Sequence, residues 1–140
     1  LLYRFDVASE KEDALGTHDE AVRCTAYSAA MGVLATGGWD RCVKLWDPRG
    51  QGHAGEASLE GKVFSMDTVG HSLVVAESER KITLLDVRKL SKPVASRESP
   101  LRGQTRSVRW APDASAYAIG SIDGRLAVEY PKRPTANYAF

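Results

Sequence analysis

With two cysteines and three histidines among 140 residues, the chain is poor in the side chains that carry covalent and metal chemistry. Cys24 and Cys42 are too few for a disulfide framework, and each falls inside a strand-like run, where a reduced thiol packs as a small apolar group. His18, His53 and His71 stand far apart, none with a second ligand type at metal spacing, so no metal and no cofactor is expected. The serines include no G-x-S-x-G elbow and no S-x-x-K pair, so no catalytic residue is expected and the chain reads as a non-enzyme. Long apolar runs are missing as well. Nothing approaches the roughly 18 to 20 residues that span a bilayer, and the opening LLYRFDVASEKED lacks the layout of a secretory leader. No membrane partner follows, and a nuclear or cytoplasmic setting is the expectation. Nor is there an excess of one charge: 19 Lys and Arg against 18 Asp and Glu leave a formal +1, too little to pull the whole chain toward nucleic acid. Aromatic platforms are sparse, so direct nucleic-acid binding is not expected.

What is present is a repeat. Laying AVRCTAYSAAMGVLATGGWDRCVKLWDPR over KVFSMDTVGHSLVVAESERKITLLDVR places Val22 on Val63, Asp40 on Glu79, Val43 on Ile82 and Asp47 on Asp86. A third copy, RSVRWAPDASAYAIGSIDGRLAVEY, places Val108 under Val22, Gly120 under Gly37 and Asp123 under Asp40. The steps between these valines are 41 and 45 residues, and YRFDV matches KLWDP another 41 upstream. Runs such as VKLW, ITLL and LAVEY alternate or stay apolar over strand lengths, with Gly, Asp and Ser clusters between them and no helical period. Each unit is therefore three or four short antiparallel strands in meandering order. One such sheet cannot bury both faces alone and must stack on its neighbours as a blade.

Trp-Asp occurs twice in TGGWDRCVKLWDPRG. The first pair sits in a tight turn with Gly37 and Gly38; the second ends a strand. With Thr17-His18 before it, the second resembles the WD-repeat pattern of a Gly-His-like dipeptide, a variable stretch and Trp-Asp. The resemblance implies an all-β WD-repeat β-propeller, incomplete here at about three blades of an expected seven. It divides the chain into the end of a preceding blade (1–15), a WD blade (16–59), a divergent blade (60–101) and a second divergent blade with the start of the next connection (102–140). It also implies a structural network of His18, Thr36, Asp40 and Trp46. The second copy has Leu59, Val75, Glu79 and Leu85 at those positions and the third has Gln104, Ile119, Asp123 and Glu129, so apolar packing is expected to hold those two blades.

Residues 50–55, GQGHAG, satisfy G-x-G-x-x-G, but EASLEG leaves no room for the helix that a dinucleotide fingerprint opens, and a solvated loop is expected. The remaining candidates are basic. Loops leading into each blade and the turns carrying Asp40, Glu79 and Asp123 share one end, since two strands separate them. That end displays Trp39, Arg41, Lys62, Arg80, Lys81, Arg102, Arg106 and Arg125, a surface suited to acidic or phosphorylated peptides.

Over Leu15 to Phe140 the strings GTHDEAVRC, TGGWDRCVKLWDPR, LLDVRKL, SRESPLRGQTR and SIDGRLAVEY resemble the propeller family of the mitotic spindle checkpoint, which partners the Bub checkpoint kinases. A sister family, the messenger-RNA export propellers bound to a nucleoporin, shares the HD and VRC elements, ESPL and the GSI-acidic-GR turn. VKLWDPR, LLDVRKL and AVEY favour the checkpoint side. The resemblance implies a kinetochore adaptor that binds the acidic GLEBS segment of checkpoint kinases and phosphorylated MELT motifs of a kinetochore scaffold. Arg106 and Arg125 match the acidic-segment site, with Trp39 and Arg102 beside them; Lys132 and Arg133 are the candidates for the phosphopeptide groove.

Overall fold

A computed structural model describes residues 1–50 and 52–140. Among them lie fourteen short strands and one 3₁₀ turn, Pro134–Ala136, and no helix long and apolar enough to cross a membrane. The strands follow chain order in four antiparallel sheets. β1 (Leu2–Asp6) and β2 (Lys11–Gly16) form a ribbon. A first full sheet contains β3 (Val22–Ser28), β4 (Val33–Gly38), β5 (Cys42–Trp46) and β6 (His53–Ser58). The second contains β7 (Val63–Val69), β8 (Ser72–Glu77), β9 (Lys81–Asp86) and β10 (Ala95–Glu98). The third contains β11 (Thr105–Trp110), β12 (Tyr117–Ser121), β13 (Leu126–Glu129) and β14 (Tyr138–Ala139). Hairpin connections between neighbours dictate this order, because parallel pairing needs a crossover of a dozen or more residues.

β8 shows why the sheets stack. Leu73 and Val75 join Ala35, Val43, Leu45, Val63, Met66 and Leu85 in the core facing the first sheet. Val74 and Ala76 point the other way, to Leu101, Val108, Ile119 and Ala127 in the core facing the third. All four β8 residues are fully buried, so the run LVVA is an alternating strand with both faces covered. Burying a side chain such as Leu73 or Val74 stabilises the fold by about 1.5–3 kcal/mol, and a sheet standing alone would lose one of the two sets. β7 is the hinge of the stack, lying against β3 on one side and β11 on the other. Polar stitches join the inner strands too: Ser65 Oγ accepts the Val108 N–H at 3.2 Å, and Asp67 Oδ2 accepts the Trp110 N–H at 2.8 Å. The end faces remain open, with Tyr3 and Phe5 exposed on β1 and Leu126, Tyr138 and Phe140 exposed on the third sheet. The fold is an incomplete β-propeller.

Two expectations from the sequence need correction. His53–Gly55, expected in a loop, begins β6; the Gln51 of the same GQGHAG string lies outside the described residues. β6 is an outer edge strand in which only Ala57 is buried, so it carries Gly, Glu and His in place of an apolar alternation. The third repeat is also shifted. Val22 pairs with Gly38 and Val63 with Glu77, while Thr105, not Val108, holds that place opposite Ser121. The true steps are 41 and 42 residues. Threonine has valine's shape but not its letter, and a longer β11–β12 connection in the third sheet let the alignment close its gap in the wrong place.

Candidate binding rim

In a meander, the loop leading into the innermost strand and the turn between the second and third strands meet at one end. Backbone bonds join them in each sheet: Trp39 N–H to Ala21 O at 2.9 Å, Ser78 N–H to Lys62 O at 2.9 Å, and Ile122 N–H to Gln104 O at 3.0 Å. Each turn then passes through a left-handed residue at the same place, Arg41 (φ 62°), Arg80 (φ 60°) and Gly124 (φ 77°). These loops and turns form the rim that carries Arg102, Arg106 and Arg125.

The rim of the first sheet is pinned from beneath. Trp46 Nε1 donates to Thr36 Oγ1 at 2.8 Å, Thr36 Oγ1 lies 2.7 Å from His18 Nε2, and His18 Nδ1 reaches both Asp40 oxygens at 2.9 and 3.0 Å. With the imidazole neutral, every member is satisfied in one direction: the indole donates to the hydroxyl, the hydroxyl to Nε2, and Nδ1–H to the carboxylate. Asp40 also accepts the Asp19 and Cys42 N–H groups at 3.0 and 3.3 Å, fixing lead-in loop and turn to one carboxylate. Burial works to raise the Asp40 carboxyl, but hydrogen bonds from His18 and the Asp19 N–H outweigh it and hold the group below its ordinary value. Gly38 leaves the space for this: a Cβ there would meet Asp40 Oδ1 at 2.5 Å and His18 Nδ1 at 2.7 Å.

The other two sheets carry polar contacts of their own beside the apolar packing expected to hold them. Glu77, at the position of Gly38, is buried; its Oε2 accepts the Gly61 N–H at 3.0 Å and its Oε1 accepts the Thr83 hydroxyl. Arg80 clamps the next lead-in loop, donating to Ser99 O at 2.7 Å and Leu101 O at 2.9 Å and pairing with Glu98 at 2.8 Å. In the third sheet the buried Tyr117 hydroxyl donates to Glu129, and burial, then this bond, pushes the phenol far up. These pairs were hidden because Glu77, Thr83 and Tyr117 fall outside the positions the family pattern names, and Glu129 stands at the Trp46 position with a side chain of different chemistry.

Three β-bulges sit at one level of the three inner strands. The pairing skips Arg23 between Val22 and Cys24, Phe64 between Val63 and Ser65, and Arg106 between Thr105 and Ser107. A bulge re-aims its extra side chain. Arg106 is exposed and makes no ion pair or side-chain hydrogen bond with the described residues, and the same holds for Arg102. Arg125 lies a loose 3.8 Å from Asp123. Trp39 is 41% exposed, with Lys62 Nζ 5.3 Å from its ring centre. Arg80 and Lys81 are committed elsewhere, Lys81 to Glu60. Arg23 and Phe64 escaped the sequence reading, because only the strand pairing shows that they share the level of Arg106.

Lys132 and Arg133 lie in the β13–β14 connection, at the opposite end of the third sheet from Arg106 and Arg125. Lys132 lines a cleft with Ser72, Asp86 and Ala114, and Arg133 sits 5.9 Å from the Tyr130 ring. They share no groove with the rim arginines. Among the described residues no three His, Cys, Asp or Glu side chains are grouped to hold a metal ion.

Comparison with known proteins agrees with the fold. The family described as WD domain, G-beta repeat matches residues 10–47. The chain is similar to mitotic checkpoint protein BUB3.1 of Arabidopsis thaliana, 48% identical over 125 residues, which are 86% of this chain and 37% of that protein. It is also similar to a Poly(A)+ RNA export protein of Schizosaccharomyces pombe, 37% identical over 141 residues, 97% of this chain and 40% of the relative. It therefore spans about two fifths of the length of these curated relatives. A chain in a crystal structure of the mitotic checkpoint complex superposes with a TM-score of 0.80 at 16% identity, over 94% of this chain and 42% of that one, a likeness of fold.

Proposed function

We propose, for a chain that belongs to the WD-repeat β-propellers, that its rim is the docking face of a non-catalytic adaptor of the mitotic checkpoint. The blades divide near residues 16, 60 and 102 in this reading. The rim takes the acidic, GLEBS-type segment of a checkpoint kinase, whose glutamates meet Arg106, Arg102 and Arg125 while Trp39 offers an apolar ledge. The observation that carries it is Arg106, turned out by a bulge and left without an anionic partner among the described residues. An exposed guanidinium grips a carboxylate through two parallel hydrogen bonds and loses no internal contact in doing so. The similarity to mitotic checkpoint proteins supports this partner class and a place in the nucleus and at the kinetochore. A phosphorylated MELT motif of the kinetochore scaffold belongs to the other end, at Lys132 and Arg133, so the two peptides bind without competing. The direct test titrates a labelled GLEBS peptide against the parent and Arg106→Glu. Equal binding by the two proteins removes the rim from the account.

The second reading is RNA export, favoured by the similarity to the Poly(A)+ RNA export protein over 97% of this chain. There the same rim takes a nucleoporin's acidic segment. Tighter binding of the nucleoporin peptide than of the kinase peptide would establish it.

A further inference from the structure

Between the second and third sheets the rim opens into a cleft of about 290 Å³, lined by Phe64, Glu77, Arg80, Arg102, Gln104 and Thr105 among others. Thr105 is 2% exposed, and its hydroxyl has no hydrogen-bond partner among the described residues. A buried hydroxyl left unpaired weakens a fold, and nothing about this position demands one. The equivalent residues of the other two sheets are Val22 and Val63, with the same shape and no polar atom. The third sheet thus carries an unpaired hydroxyl, on a residue that lines an open cleft, where the other two sheets carry a valine.

The neighbours narrow what that hydroxyl can meet. Glu77 already accepts the Gly61 N–H and the Thr83 hydroxyl, and the Arg80 guanidinium is held by Ser99, Leu101 and Glu98. The donors of the lining that have no acceptor among the described residues include the Thr105 hydroxyl within, the exposed Arg102 guanidinium, the Gln104 amide and the Ser78 hydroxyl, with the Phe64 ring as an apolar wall. A carboxylate on a short methylene stem matches a cleft with several donors and one apolar wall. Glu77 and Glu79 border the same cleft and oppose a dianionic phosphate more than a carboxylate with a single charge.

Resting on the rim reading, we propose that this cleft is a specificity pocket for one glutamate side chain of the acidic partner segment, held by Thr105 and Arg102. The test uses the labelled acidic peptide and a set of variants in which each glutamate in turn is replaced by glutamine. Thr105→Val is expected to melt at or above the parent temperature, since no internal hydrogen bond is lost, and to bind the parent peptide about tenfold more weakly. Thr105→Ser is expected to bind like the parent. For one glutamine peptide, the Thr105→Val defect should vanish, which identifies the glutamate that enters. Parent-like binding of every peptide by Thr105→Val overturns the pocket, and so does a lowered melting temperature in that variant. Arg106→Glu separates the two levels. If it loses binding while Thr105→Val does not, the pocket falls and the rim stands; if neither loses binding, the rim falls as well.

Discussion

Thr36 is the point on which the first sheet's pin turns, because its single oxygen serves both Trp46 and His18. Thr36→Val keeps the shape of the side chain and removes that oxygen. The Trp46 Nε1–H, now 2.8 Å from Thr36 Oγ1, and the His18 Nε2, now 2.7 Å from it, are then both left without a partner. Water cannot replace the oxygen easily, since Thr36, Trp46 and His18 are 0%, 3% and 8% exposed. Each orphaned group costs about 1–3 kcal/mol, and the buried methyl that replaces the hydroxyl returns about 1 kcal/mol. The expected loss is about 1–5 kcal/mol, a sizeable part of the roughly 5–15 kcal/mol that holds a domain of ordinary stability. Thr36→Ser retains both hydrogen bonds and deletes one methyl, so it should cost only about 1 kcal/mol. Urea unfolding followed by tryptophan fluorescence measures both, with an unchanged slope showing that the change is one of stability. Pairing Thr36→Val with Trp46→Phe removes both ends of one bond, and the double variant should lose at least about 1 kcal/mol less than the sum of the singles. A Thr36→Val variant within about 0.5 kcal/mol of the parent, or no more damaged than Thr36→Ser, would refute the argument.

Other outcomes follow from the same geometry. Asp40 has a carboxyl held below its ordinary value of 3.8, so its contribution is present above that pH and is lost as pH falls through the folded value. The stability gap between parent and Asp40→Asn should therefore be widest near neutrality and close in acid; a gap independent of pH contradicts the pin. Arg106→Glu should abolish binding of an acidic peptide with little change in melting temperature, because the exposed, bulged side chain makes no ion pair or side-chain hydrogen bond with the described residues. Burial, only partly offset by the Arg23 charge, pushes the Cys24 thiol up to about 11. At pH 8 the native protein should react with iodoacetamide at Cys24 far more slowly than the urea-unfolded protein, as peptide mass spectrometry would show, and equal rates would place Cys24 outside the core.

Fold class was legible because a repeat of about 40 residues, written in short apolar runs, admits few architectures. The first pin was legible for a related reason: His18, Thr36, Asp40 and Trp46 occupy pattern positions, and the chain brings them within hydrogen-bond distance of one another. What the sequence concealed depends on pairing between distant residues. Glu77 looks like the polar end of LVVAE until β8 is seen to bury it beneath the Gly61 N–H. Arg80 looks like one more basic rim residue, yet its guanidinium holds the backbone of the next sheet's lead-in loop. Arg106 could be placed on the correct end from strand counting, but its release from the sheet depends on a bulge that composition does not encode. The identity of Thr105 with Val22 and Val63 was lost for the converse reason, since matching by letter overrode matching by shape.

The three sheets solve one mechanical problem with different chemistry. Each must hold a lead-in loop against a turn: the first through Asp40 and His18, the second through Glu77 and the Gly61 N–H, the third through close packing, where a Cβ on Gly103 would meet Asp123 Oδ1 at 2.6 Å. Because the clamps of the first two sheets draw on carboxylates and backbone donors, the arginines of the bulge level are not consumed by holding those sheets. Arg80 is the exception, for it lines the same cleft as Arg102 yet spends its charge on Glu98 and two carbonyls. A chain with formal charge of only +1 can thus leave Arg102 and Arg106 without anionic partners among the described residues, since the local sign of the surface depends on which charges are left over after the clamps are made. Substitutions that alter the clamps should move stability and binding together, whereas those at Arg102 and Arg106 should move binding alone.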